Sequence, residues 1–223
     1  MIRAKNIEQN VHLGKRESIL KHLNFHIEKG EFVAFISKNV ENKSALLKII
    51  GLLTPIDKGQ LTLNSINVTN LSPTKKMALR IRNIGFVFSE PLLIDELSVF
   101  ENVELPLIYL KLNRKTRKKY VENVLKQLNL LHRKNYYPRQ LSKEWQQQVA
   151  IARAFVIKPK IILADEPIAK LSMFGGEEVM KRLAQINEQQ VTIVITSNSI
   201  EKASYAQKLF FIERGEVIID KNY

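Results

Sequence analysis

Phe35-Ile36-Ser37-Lys38-Asn39-Val40-Glu41-Asn42-Lys43-Ser44-Ala45-Leu46-Leu47-Lys48-Ile49-Ile50-Gly51 is the stretch on which the reading of this chain turns. Glu31 to Ile36 reads as an alternating strand, a short polar turn follows, and beyond Lys43-Ser44 the apolar residues Leu46, Leu47, Ile49 and Ile50 suit a half-buried helix. A strand, a turn and Lys-Ser opening a helix is the layout of a phosphate-binding loop. In Gly-x-x-x-x-Gly-Lys-[Ser/Thr] the glycines let backbone N–H groups curl around a phosphate, the lysine reaches the outer phosphates and the hydroxyl holds Mg2+. Here Ser37 and Asn42 stand at the glycine positions with Val40 and Glu41 between them, so the general pattern is not met. Lys43 and Ser44 taken alone also describe the solvated first turn of an ordinary helix.

The 223 residues are enough for one sizeable core, or a core with an attached lobe, and a hydrophobic content of 45% is that of a globular chain. With no cysteine, a disulfide framework and a thiolate metal site are both excluded, and a reducing compartment is expected. Apolar runs are too short to span a bilayer, and Met1-Ile2-Arg3-Ala4-Lys5-Asn6 lacks a signal-peptide core, so a cytoplasmic location is expected. The net charge of +13 points to an anionic neighbour, nucleic acid or lipid headgroups. The excess is concentrated between Lys111 and Lys143, where Glu122 is the single acid. A solvated helix face would explain that segment equally well.

Residues Ile2 to Ile27 read as strands with a turn at Gly14-Lys15, and Gln60 to Leu63 and Ile84 to Phe88 read as further strands, with a helix over Pro73 to Ile81 between them. From Pro91 to about Phe155 the period becomes helical: Tyr120, Val121, Val124, Leu125 and Leu128 form one stripe. Strands return at Ile161–Ala164, Val191–Thr196, Leu209–Ile212 and Val217–Ile219, with a helix from about Gly176 to Gln190 between the first two. This order predicts an α/β core carrying an α-helical lobe.

Two words make the reading specific. Ile161-Ile162-Leu163-Ala164-Asp165-Glu166-Pro167 is an apolar strand ending in two carboxylates, which is how an ATPase presents one to the Mg2+ shell and another to the attacking water. Upstream, Leu141-Ser142-Lys143-Glu144-Trp145-Gln146-Gln147-Gln148-Val149-Ala150-Ile151-Ala152-Arg153-Ala154 resembles the signature and following helix of ABC transporter ATPases, Leu-Ser-Gly-Gly-Gln-Gln-Gln-Arg-Val-Ala-Ile-Ala-Arg-Ala. Lys29-Gly30-Glu31 before the loop, Ile50-Gly51-Leu52-Leu53 after its helix, and Ser98-Val99-Phe100-Glu101-Asn102-Val103 fall in the same order. The chain thus resembles, over nearly its whole length, the short nucleotide-binding subunits of lipoprotein-release, cell-division and macrolide-export transporters.

The resemblance implies an ABC-type P-loop ATPase fold: a RecA-like core with an antiparallel β subdomain and an inserted α-helical lobe, core at 1–88 and 157–223, lobe at 89–156. It implies two such domains packed head to tail, as homodimer or heterodimer, with ATP between one partner's phosphate loop and the other's signature. It also implies a transmembrane permease subunit docked near Ser89 to Tyr109. The nucleotide-contacting positions would be Ser37, Asn42, Lys43, Ser44, Ala45 and Ser142; the metal positions Ser44, Asp165 and Ser89; the catalytic positions Glu166 and Ser197.

Departures fall on those contacts. Ser37, Val40 and Asn42 replace glycines, and a left-handed valine would cost roughly 1 to 2 kcal/mol if the family backbone were kept. Ser89 replaces the glutamine that senses Mg2+, Ser197 the histidine that contacts the γ-phosphate, Ser172 an interface aspartate, and Val11 the aromatic that stacks on adenine. Lys143-Glu144-Trp145 replaces Gly-Gly-Gln. The expectation is a pseudo-ATPase subunit, with ATP and Mg2+ weak or absent and Glu41 standing in for phosphate beside Lys43. It would lie on the inner face of the cell membrane against anionic headgroups. An active transport ATPase is the first alternative. A soluble nucleic-acid-associated ABC protein is the second, disfavoured because such relatives carry tandem domains or a long coiled-coil insert.

Overall fold

The computed structural model describes residues 1–13 and 15–219, with the side chains of 11–17 and 219 left out. Two sheets carry the chain. The first is antiparallel, built on the hairpin of β1 (Ile2–Leu13) and β2 (Lys15–Ile27). Its other strands are β4 (Lys58–Leu63) and β5 (Ile66–Asn67), in the order β2-β1-β4-β5. The second sheet has six strands. β3 (Phe32–Ile36), β6 (Ile84–Val87), β7 (Ile161–Asp165), β8 (Thr192–Ser197) and β9 (Lys208–Glu213) are parallel, and β10 (Glu216–Ile219) closes the edge antiparallel to β9. The order β10-β9-β3-β8-β7-β6 places β8 between β3 and β7, so all three end at one carboxyl edge.

The alternation expected over Glu31 to Ile36 is corrected: β3 is buried at every position because both sheet faces are covered. Phe32, Ala34 and Ile36 join the core formed with α3 (Val99–Tyr109), α4 (Arg114–Gln127), α5 (Lys143–Phe155) and α6 (Met173–Asn187). Val33 and Phe35 face the other way, into a core with α1 (Val40–Ile50) and the antiparallel sheet. There the Phe35 and Phe210 rings stack at 4.7 Å and Phe25 meets Phe35 edge-on at 5.1 Å, tying the two sheets together.

The remaining helix, α2 (Pro73–Asn83), leads into β6, where α5 packs so closely that a Cβ on Gly85 would lie 2.5 Å from the Ala154 carbonyl oxygen. The predicted α4 stripe is buried at Val121, Val124, Leu125 and Leu128, with Tyr120 packed against it. Polar ties organise the loops between sheet and helices. Asn102, buried in α3, donates to the carbonyls of Ile94, Leu97 and Ser98 and accepts from the Ile94 N–H. Arg153 donates to the Pro91 and Leu92 carbonyls at 2.7 Å, and burial pushes its guanidinium pKa down.

Sequence and structure differ on where two helices start. α1 begins at Val40 rather than at Lys43, and α6 begins at Met173 rather than near Gly176, in each case because a polar residue just upstream caps the earlier turn. The expectation at Val11 concerns a side chain outside the described residues. Among the described residues no helix is long and apolar enough to cross a membrane.

Candidate functional site

Around the start of α1 four backbone N–H groups, those of Ser37, Asn39, Glu41 and Asn42, already have partners. Asn39 is the N-cap of α1, and its side-chain oxygen accepts from the N–H groups of Glu41 at 2.8 Å and Asn42 at 3.2 Å. The Asn39 N–H donates to Ser37 Oγ, the Ser37 N–H to the Ser197 carbonyl, and Ser37 Oγ to the Ile212 carbonyl. Neither Ser37, Val40 nor Asn42 has positive φ. The valine penalty expected for a preserved glycine-type loop therefore does not arise: Val40 and Asn42 lie in helical backbone, which any residue adopts.

Extending the helix by a turn also decides where the side chains go. Lys43 shares a face with Leu46, Leu47 and Ile50, at spacings of three, four and seven, and all four are buried. Glu41 and Lys48, also seven apart, share the exposed face. Lys43 is 1% exposed and its ammonium is paired with Glu166, which is 16% exposed. The expected contact of Glu41 with Lys43 is thus corrected. Glu41 faces solvent, where it still complements the positive end of the helix, and the anion that meets the lysine comes from β7.

Glu166 reaches Lys43 from a left-handed backbone, φ +44, an uncommon conformation for a side chain of its size. Thr196 at the end of β8 holds it there. Its hydroxyl accepts from the Glu166 N–H at 3.1 Å and donates to Asp165 Oδ1 at 2.6 Å. Ser37, Asn42, Lys43, Ser44, Ala45, Asp165, Glu166 and Ser197 are accordingly brought to one carboxyl edge. Ser44 and Ala45 are half-buried there. Ser197 is buried and closes its own turn, donating to the Ser199 carbonyl at 2.8 Å and accepting from the Ser199 N–H at 3.2 Å. Ser44 offers a hydroxyl and Asp165 a carboxylate, the two groups at this edge suited to Mg2+.

Of the other candidates, Ser89 follows the carboxyl end of β6, next to β7 at the same edge, while Ser142 and Ser172 sit at helix starts. Ser89 is half-buried in the loop after β6, and its neighbour Glu90 pairs with Lys170, which holds the Glu90 carboxyl below the usual glutamate range. Ser142 is exposed and serves as the N-cap of α5, accepting from the Trp145 N–H at 3.4 Å. Ser172 caps α6 and donates to Glu144 at 3.3 Å. Glu144 lies over Gly175, where a Cβ would approach its Cγ to 2.1 Å. Hydrogen bonds from its own N–H and the Ser142 hydroxyl, then from Ser172, hold its carboxyl below the ordinary value. Trp145 carries the Arg133 guanidinium over its ring, 4.4 Å from the centroid. Sequence reasoning missed Asn39, Thr196 and Gln147. Gln147, buried in α5, donates to the Phe88 and Pro167 carbonyls and so ties both loops to one helix.

A Lys-Ser pair in the first turns of α1 and an Asp-Glu strand end, meeting at one edge of a parallel sheet with helices on both faces, mark the P-loop class of nucleotide-binding cassettes. The chain belongs to the ABC transporter family, whose model matches residues 20–169. Similar chains include the uncharacterized ABC transporter ATP-binding protein YvrO of Bacillus subtilis, 35% identical over 99% of this chain and 97% of that one. The macrolide export ATP-binding/permease protein MacB of Campylobacter jejuni is 38% identical over 99% of this chain, which spans 34% of that protein. The ATP-binding cassette MJ0796 of Methanocaldococcus jannaschii, solved as a dimer in a post-hydrolysis state bound to ADP and Pi, superposes with a TM-score of 0.87 at 35% identity, covering 97% of this chain and 96% of that one. The expected α/β fold and the family resemblance are both borne out.

Proposed function

We propose that this chain is a degenerate, pseudo-ATPase cassette that docks on a transmembrane permease and pairs with a second ABC subunit, a copy or a paralogue. In this reading residues 1–223 form one cassette, with core lobe 1–88 and 157–223 and helical lobe 89–156. The observation that carries it is the buried Lys43–Glu166 pair. The lysine that would reach the outer phosphates and the carboxylate that would orient water neutralise each other, while Asn39 and the Ser197 carbonyl take up the N–H groups of Glu41, Asn42 and Ser37, three of those in the segment that would cradle an anion. A nucleoside triphosphate with Mg2+ does not fit that arrangement: its charge would have to displace Glu166 and break the cap on α1. Ser37, Asn42, Lys43, Ser44, Ala45 and Ser142 are then vestigial nucleotide contacts, Asp165 and Ser89 vestigial metal positions, and Glu166 and Ser197 vestigial catalytic positions.

Docking rests on a groove of about 340 Å³ between α2, β6, α3 and α5, walled by Phe86, Phe88, Leu105, Pro106, Tyr109 and Ile157. Tyr109 is 74% exposed at its lip, and Arg153 and Asn102 fix the loop beside it, so the groove is preformed for an apolar helix face. The cassette would lie at the cytoplasmic face of the membrane, with the basic segment Lys111 to Lys143 toward anionic headgroups.

The retention of Lys43, Ser44, Asp165 and Glu166 together favours a second reading, a working ATPase whose Lys43–Glu166 pair opens on nucleotide binding. Calorimetric titration with ATP, with and without Mg2+, and turnover measured with the copurified membrane subunit separate the two. The degenerate cassette gives neither binding nor turnover above background; hydrolysis abolished by Glu166→Gln would establish the working enzyme.

A further inference from the structure

At the opposite, amino end of the parallel sheet lies a second recess, of about 800 Å³, within the size range of small-molecule sites. Lys29 lines it three residues before β3, Lys160 immediately before β7 and Val191 immediately before β8, while α4 forms the facing wall. Lys160 and Glu166 are separated by the length of β7, roughly 20 Å at 3.3 Å per residue, so this recess is distinct from the Lys43 edge.

Its chemistry is one-sided. Lys29, Lys119, Lys158 and Lys160 line it, and among the described residues no aspartate or glutamate does. All four lysines are exposed, and among the described residues none has a carboxylate within ion-pair distance. Lys158 instead rests over the Tyr120 ring, 5.2 Å from its centroid. The floor is apolar and fixed, with Val124, Phe155, Val156 and Val191 all buried. Amide side chains from both walls, Asn123 and Gln127 on α4 and Gln189 and Gln190 after α6, add neutral donors. Beyond the α4 wall the positive field continues through Lys115, Lys118 and Lys126, with Glu122, the one acid there among the described residues, paired to Lys134 at 3.5 Å. Several ammonium groups around a concave recess with no acid among its described lining residues focus potential on its interior, and a point-charge lysine with three donors suits phosphate oxygens.

We infer that this recess binds a small soluble anion carrying two or more phosphate groups, held by Lys29, Lys119, Lys158 and Lys160 with the amides orienting it. A concave site of this volume takes in a free ligand and leaves a planar bilayer surface outside, so the assignment is to a soluble molecule. It does not depend on whether the Lys43 edge binds nucleotide.

The test uses the full chain and inorganic tripolyphosphate, followed by calorimetry and by amide chemical-shift perturbation at 0.15 M salt. Shifts are expected at Lys158, Lys160 and Gln189 to Val191. Lys158→Ala/Lys160→Ala, at exposed positions, is expected to keep the melting temperature and weaken binding by about 25-fold. That is roughly fivefold per unit charge at about 4 Å in water. Ser44→Ala is expected to leave binding unchanged. Three outcomes would each overturn the assignment: shifts confined to 37–44, a loss with Ser44→Ala but not with the lysine pair, or lysine-dependent binding seen only with phosphatidylglycerol vesicles. A MgATP titration of the same protein reports separately on the proposed function.

Discussion

Breaking the Lys43–Glu166 pair from one side and then the other gives an asymmetry that the geometry fixes in advance. Lys43 is 1% exposed and cannot recover water in place, whereas Glu166 is 16% exposed and can. Glu166→Ala leaves a buried ammonium without its counter-charge and should cost about 3 to 5 kcal/mol. For a chain of 223 residues that is a fall in melting temperature of about 6 to 20 °C. Glu166→Gln keeps an acceptor for the ammonium but removes the charge, for about 2 kcal/mol. Lys43→Met fills the lysine stem's place with apolar volume and leaves a carboxylate that can draw in water, for about 1 to 2 kcal/mol. Combining Lys43→Met with Glu166→Ala removes both charges, so the double variant should be more stable than Glu166→Ala alone, with a coupling energy of about 2 to 3 kcal/mol. Urea unfolding of the four proteins measures it. Additivity within about 0.5 kcal/mol would refute the idea that the pair is a buried, mutually dependent unit.

Asn39→Ala removes the acceptor for two N–H groups at the start of α1 and should cost about 1 kcal/mol by urea unfolding, while Asn39→Asp, which keeps the acceptor, should cost little. Equal losses in the two variants would contradict the cap. Because the Glu144 carboxyl is held below its ordinary value of 4.5, the stability it contributes is present above that pH and is lost as pH falls through its lower folded value. The gap between the native protein and Glu144→Gln should therefore be widest near pH 7 and close between pH 4.5 and the acid limit; a gap that does not change with pH would show that the hydrogen bonds around Ser142 and Ser172 carry no charge dependence.

Much of the fold was legible in local pattern. Ile84 to Phe88, Ile161 to Ala164 and Val191 to Thr196 read as strands, the first two apolar throughout or nearly so because both sheet faces are covered, and the α4 stripe was plain because one face of that helix is buried. The start of α1 was not, since a phosphate-loop template was laid over residues whose own preferences, an asparagine before Val-Glu-Asn, favour a capped helix. The burial of Lys43 had a readable signal, its spacing from Leu46, Leu47 and Ile50, which the template obscured.

What the sequence alone determined is the order of strands and helices, the family they spell, and the replacement of glycines at the loop. The partner of Lys43 was decided only by tertiary structure. Glu166 lies 123 residues away, and the two meet because β8 lies between β3 and β7, bringing both carboxyl ends to one edge, and because Thr196 on β8 holds the Glu166 backbone in its left-handed turn. The lysine-lined recess at the other end of the same strands has the same origin: no local window joins Lys29, Lys119 and Lys160, and only the parallel sheet gathers the segments before β3 and β7 opposite α4.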